Sequence, residues 1–163
     1  MGYIENIKKY KEEIKEMILS NQNLLKLLYY PSASPLEEKN INNASGLLNK
    51  YIFFRFRNPE TIENKTSFIV VNIKANKFRN QESFINIRIY FDIFTDNMII
   101  NLDNGNDRFD CIAEEINKMM NGAKGEWIGQ AKLRNDMNFL VSSNMNGRRL
   151  VYEISDFNGR VLV

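Results

Sequence analysis

Between Ile85 and Ile93 the chain reads Ile-Asn-Ile-Arg-Ile-Tyr-Phe-Asp-Ile, an almost unbroken alternation of apolar and polar residues that constrains the fold more tightly than any other segment. A strand sends successive side chains to opposite faces. Ile85, Ile87, Ile89, Phe91 and Ile93 therefore form one buried stripe, and Asn86, Arg88, Tyr90 and Asp92 occupy the other face. That second face is polar yet large, aromatic and charged, as expected of a surface meeting water, a neighbouring strand or a partner subunit. These four residues are the candidate subunit interface.

The flanking segments supply the layers that such a half-buried strand requires. Ile4, Ile7, Tyr10, Ile14, Met17 and Ile18 recur at helical spacing and define an opening helix. Ser20-Asn21-Gln22-Asn23 offers a break and a fresh N-cap before a short helix, Leu24 to Leu28, that stops before Pro31. Residues 31–49, rich in Pro, Asn and Ser, read as a long excursion with at most short helical turns. Loops of that length are commonly functional or mobile.

Strands are expected over Tyr51 to Arg57, with Ile52, Phe54 and Phe56 on one face, and over Ser67 to Phe78, with Ile69, Val71, Ile73 and Ala75 on one face. Asn104-Gly105 marks a turn. Asn106 or Asp107 then caps a helix running to Asn121, its Phe109, Ile112, Ala113, Ile116 and Met120 facing the sheet and Gly122 giving a left-handed stop. The closing strands, Gln130 to Val141 and Arg148 to Ser155, join through an Asn146-Gly147 hairpin turn. The order α-α-β-β-β-α-β-β predicts an α+β fold, a mainly antiparallel sheet of four to five strands with helices on one face. All 163 residues suit one domain.

Composition narrows the compartment and the partners. Twenty-two basic residues against 20 acidic ones give a net charge of +2, which provides no general attraction to phosphate backbones. The longest apolar runs, such as Phe68-Ile69-Val70-Val71, fall far short of the roughly 20 residues that span a bilayer, so no membrane association is expected. The opening residues lack a signal-peptide pattern, Asn6 stands where a myristoylation motif needs Ser or Thr, and one cysteine makes no internal disulfide. Synthesis in a reducing cytoplasm fits these features.

Enzyme chemistry finds little to use. With no histidine in the chain, the commonest general base, the Ser-His and Cys-His pairs and most zinc sites are absent. Cys111 sits about 200° round its helix from Phe109, off the core stripe, and reads as an unreactive, partly exposed or interface thiol. Asp92, Asp96, Asp103, Asp107 and Asp110 lie close in sequence. The Asp103 to Asp107 segment nevertheless lacks the glycine and glutamate positions of a calcium loop, and Asp92 with Glu153 or Lys132 does not form a nuclease pattern. Gly122-Ala123-Lys124-Gly125 follows a helix, the unfavourable end for a phosphate. Arg55, Arg57, Lys74, Lys77, Arg79 and Arg88, interleaved with Phe53, Phe78 and Tyr90, could form a basic aromatic face for single-stranded nucleic acid, diluted by Glu60, Glu63, Glu82 and Asp92. No catalytic, metal or cofactor site is expected.

Leu24 to Tyr30, Ser34-Pro35-Leu36 and Arg88 to Ile93, with Arg108 to Asn117 and Arg148 to Ile154, together resemble neck proteins of tailed phages, in particular tail terminator or tail-completion proteins. The resemblance spans residues 4–155 and rests on element order and loose motifs. It implies a structural virion protein of the tail or neck, a small α+β subunit forming a homo-oligomeric ring, usually hexameric. Such a ring caps the tail tube and meets the head connector while DNA passes through its lumen without specific recognition. A head-tail connector or stopper is the close variant, and a nucleic-acid-binding module is the alternative from another class. The family implies no catalytic residues.

Overall fold

The computed structural model describes residues 3–56, 65–78, 81–122 and 131–157. Helix α1, Tyr3–Ser20, buries Tyr10, Ile14 and Ile18, the inner part of its predicted stripe. Helix α2, Gln22–Tyr29, starts where Asn21 accepts the Leu24 N–H at 3.1 Å, satisfying one of the donors that every helix start leaves open. Its four leucines are buried, and residues 31–49 contribute only two short 3₁₀ turns, Pro35–Glu37 and Ala44–Leu47.

The sheet comprises β1, Ile52–Phe53; β2, Ser67–Phe78; β3, Gln81–Asp96; β4, Lys132–Ser142; and β5, Met145–Phe157. Helix α3, Arg108–Asn121, lies between β3 and β4 in sequence. The spatial order is β1-β2-β3-β5-β4; β1 pairs parallel to β2 and every other neighbour is antiparallel. The α+β expectation therefore holds, with β3 at the centre of the sheet.

All three helices pack on one face. Ile69 and Val71 of β2, Ile87, Ile89, Phe91 and Ile93 of β3, and Leu150, Tyr152 and Ile154 of β5 meet α1, α2 and α3 there in one buried cluster. The predicted face of α3, Phe109, Ile112, Ala113, Ile116 and Met120, is buried throughout. Emptying one fully buried position, as in Ile14 or Ile89 to Ala, would cost about 2–5 kcal/mol in transfer and cavity terms. On the opposite face a smaller cluster of Phe53, Phe68, Val70, Phe94 and Met145 covers one end of the sheet, with Phe68 and Phe94 stacked at 4.7 Å.

Four local expectations need correction. The strand expected over Tyr51 to Arg57 is only Ile52–Phe53, because pairing with β2 ends there and the chain bends at Phe54 and Arg55; Phe56 is 88% exposed, and Arg57 lies outside the described residues. Asp107 occupies the N-cap of α3 without a side-chain cap bond, since backbone pairing already fixes this start: Arg108 N–H donates to the Ile100 carbonyl at 2.7 Å. Gly122 is not left-handed. Its φ of −88° continues the last turn, with its N–H on the Lys118 carbonyl at 2.9 Å.

The β4–β5 hairpin turns at Ser143-Asn144, not at Asn146-Gly147, which lie within β5. Gly147 faces Phe139, and a Cβ there would come 2.4 Å from the ring. The glycine serves close packing of an aromatic ring.

Candidate subunit interface

Cross-strand register builds the face opposite the helices. Lys74 of β2 pairs with Arg88, Arg88 with Glu153 of β5, and Glu153 with Lys132 of β4. A second row runs Val70, Asp92, Arg149, Met137, and between the two lies Asn72, Tyr90, Val151, Asn135. Pairing by register matters because directly opposed side chains on one face are the closest neighbours in a sheet.

The four predicted residues do share this face, but with unequal exposure. Arg88 is exposed, Tyr90 and Asp92 are half-buried, and Asn86 is only 7% exposed. Asn86 Oδ1 is buried without a hydrogen-bond partner, while the amide's hydrogen bond to Glu153 is the foremost reason that carboxylate sits below the usual range; Arg88 and Arg134 add to it. Arg88 Nε lies 3.2 Å and Arg134 Nε 3.3 Å from Glu153, so one carboxylate serves two guanidinium groups. Asp92 binds Arg149 through two bonds, and Arg149 and Lys74 each lie 5.6 Å from the Tyr90 ring centre. Three cations noted here, Lys132, Arg134 and Arg149, come from strands whose register the sequence pattern did not reveal.

Both lateral edges of the sheet are open among the described residues. Strand β1 covers only Ile69 and Val70 of β2, and β4 pairs with β5 alone. The β4 edge carries the exposed apolar side chains Leu133 at 41%, Met137 at 47% and Leu140 at 81%. An open, partly apolar edge is a template for another strand.

The acidic residues grouped by sequence do not converge. Asp96 is buried and accepts the Lys65 and Met98 N–H groups at 2.8 Å each, Asp103 accepts the Ser34 hydroxyl at 2.6 Å, and Asp110 pairs with Arg148. No group of three potential metal ligands occurs among the described residues. Cys111 is half-buried, and burial followed by Glu114, Asp110 and Glu115 raises its thiol pKa, opposite to what a nucleophile needs. Of the basic aromatic face, Phe53 is buried in the small cluster, while Arg57 and Arg79 and the side chains of Lys77 and Phe78 lie outside the described set. So do residues 123–125, the glycine-flanked segment.

Arg108 is the residue that sequence reasoning missed. It is fully buried, and its guanidinium donates to four backbone carbonyls: Ile99 at 2.9 Å, Leu27 and Tyr30 at 2.8 Å, and Ser32 at 2.5 Å. Burial pulls its pKa down to about 10. The cation ties the end of α2 and the start of the 31–49 excursion to α3, adjoining a groove of about 270 Å³ lined by Ser34, Leu36 and Asp103. Its role is architectural.

No helix among the described residues is long and apolar enough to cross a membrane. Comparison with curated proteins and with solved structures found no match. A family model, YomW, matches residues 21–154, from the α2 cap to the last core residues of β5. The name is of a prophage type, and with most of its length matched the chain belongs to the YomW family and is phage-related.

Proposed function

We propose that this protein is a structural virion protein of a tailed phage or prophage, a ring-forming tail terminator that caps the tail tube and joins it to the head connector. The observation that carries this reading is the pair of sheet edges left open among the described residues. The β2 edge beyond Val70 and the whole β4 edge are different surfaces on opposite sides of the subunit. Association of one with the other is heterologous and closes into a ring when the rotation per subunit divides a full turn. Main-chain hydrogen bonds would supply affinity, and Leu133, Met137 and Leu140 would lose apolar surface to water.

In such a ring the three helices take the roomier outer side. With the strand edges making the subunit contacts, Asn86, Arg88, Tyr90 and Asp92 on the central strand lie away from those contacts. Their face, opposite the bulkier helix layer, is assigned to the lumen in place of the subunit interface expected from the sequence. The phage-related family and the resemblance to tail terminators support the same assignment. Another neck role, connector or stopper, would use the same ring. Incubation of the purified chain with tail tubes lacking a terminator tests the assignment: electron microscopy is expected to show rings seated at one tube end. Rings that never occupy tube ends would overturn it.

A further inference from the structure

The face opposite the helices concentrates positive charge in its polar rows. Across the three polar rows the described charged residues are the cations Lys74, Arg88, Lys132, Arg134 and Arg149 and the carboxylates Asp92 and Glu153, a local surplus of three. Asp96, on the same face, is buried at the far end of the sheet and accepts the Lys65 and Met98 N–H groups. The two signs also sit at different depths. The Arg88, Arg134 and Arg149 side chains are 44%, 53% and 41% exposed, whereas Asp92 and Glu153 are 15% and 14% exposed. The carboxylates form a floor that aims guanidinium groups outward. Lys74 and Lys132 make no ion pair among the described residues.

The arrangement has a direction. Lys74, Arg88, Glu153 and Lys132 are successive register partners, and three strand spacings of about 4.8 Å make a row roughly 14 Å long across the sheet. Duplex DNA presents one phosphate charge per about 1.7 Å of axis, so a row of that length meets several. We propose that this row contacts the phosphate backbone of double-stranded DNA without regard to base sequence.

Two features select a duplex over a single strand and backbone over bases. Single-strand binders stack bases on open aromatic rings, but here Phe53, Phe68 and Phe94 are buried and Tyr90 lies against Lys74 and Arg149. The face belongs to a five-stranded sheet, too broad for a major groove about 12 Å wide that admits a helix or a two-stranded ribbon. Contacts with phosphates position a duplex and carry no sequence information. The proposal rests on the ring reading for its biological setting, where this face lines the lumen, but the charge belongs to each subunit alone.

The experiment is fluorescence anisotropy of the full chain with a labelled mixed-sequence duplex and with a single strand of equal length, over roughly 50 to 200 mM salt. Duplex binding is expected to fall with a log–log slope of about −3 per bound subunit. Lys74→Gln with Lys132→Gln, which breaks no ion pair, should lower the slope by about two and weaken binding at the low-salt end about tenfold or more. Lys118→Gln on α3, on the helix side, should leave binding unchanged. Unaltered duplex binding in the double variant, a preference for the single strand, or salt-independent binding would each overturn the proposal. Native mass measured on the same samples separates the two claims. Rings with no duplex affinity sink this inference alone, and a monomer whose duplex binding needs Lys74 and Lys132 sinks the ring alone.

Discussion

Arg149 grips Asp92 across the β5–β3 pair with two parallel bonds, Nε to Oδ1 at 2.6 Å and Nη2 to Oδ2 at 2.8 Å, while its guanidinium also lies over the rings of Tyr90 and Phe139. Hydrogen bonding to Asp92 is the main reason the arginine's pKa is raised. A fork-shaped pair of this kind fixes geometry as well as charge. It sits two register positions from Phe94–Gly147, the next pair on the same face, so it joins the small aromatic cluster to the polar half of that face.

Because Arg149 is partly exposed, screening limits the worth of this pair. A double-mutant cycle on Asp92→Asn and Arg149→Gln should return a coupling of about 1 kcal/mol by urea unfolding. Coupling indistinguishable from zero would mean that the pair is ornamental.

The buried guanidinium of Arg108 predicts a larger effect. Arg108→Lys keeps a positive charge but not the planar fork that reaches Ile99, Leu27, Tyr30 and Ser32, so carbonyls lose their donors in a dry site. Unfolding free energy should drop by about 3 kcal/mol, and Arg108→Met should do no better. A lysine variant as stable as the wild type would show that these bonds are dispensable.

Much of this architecture is written in local pattern, and the exceptions share a cause. The stripes of β2, β3 and α3 and the Asn21 cap follow from periodicity and capping, which operate within a few residues. Arg108 is different: three of its acceptors lie 76, 78 and 81 residues away, so nothing near position 108 announces them. Asn146-Gly147 has the composition of a turn, yet the ring of Phe139 from the next strand claims the glycine's empty side. The register shift between Leu133 and Asn135 likewise hid which β4 cations join Arg88, because a bulge resets the alternation on which face assignment depends. The polar side of β3 was recognisable as a face, but the residues of β4 and β5 that complete it were not.

Gly147→Ala tests the packing explanation. The new methyl would meet the Phe139 ring at 2.4 Å and force it out of contact with Phe94, at a cost of about 1–3 kcal/mol by thermal or urea unfolding. Pairing the change with Phe139→Leu should recover part of the loss. An unperturbed single variant would contradict the assignment.

Acid should weaken the sheet through Glu153 and Asp136. Hydrogen bonds from Asn86 and Arg88 hold Glu153 below its ordinary range, and Arg148 does the same for Asp136. A carboxylate whose folded pKa is depressed contributes stability that is present above its unfolded pKa and is lost as pH falls through the folded value. Stability should therefore decline below about pH 4.5, and Glu153→Gln should make that decline shallower. Parallel acid profiles for variant and wild type would refute the role of this carboxylate.

The central claim, that open edges of one sheet join neighbouring subunits into a closed ring, is tested most directly by native mass spectrometry of the wild type beside Met137→Lys with Leu140→Lys. Both side chains are exposed in the single subunit, so the paired change should leave unfolding free energy within about 0.5 kcal/mol per site. The account predicts one closed stoichiometry for the wild type and a folded monomer for the variant. A wild type that stays monomeric at high concentration, or a variant that assembles as the wild type does, would contradict it.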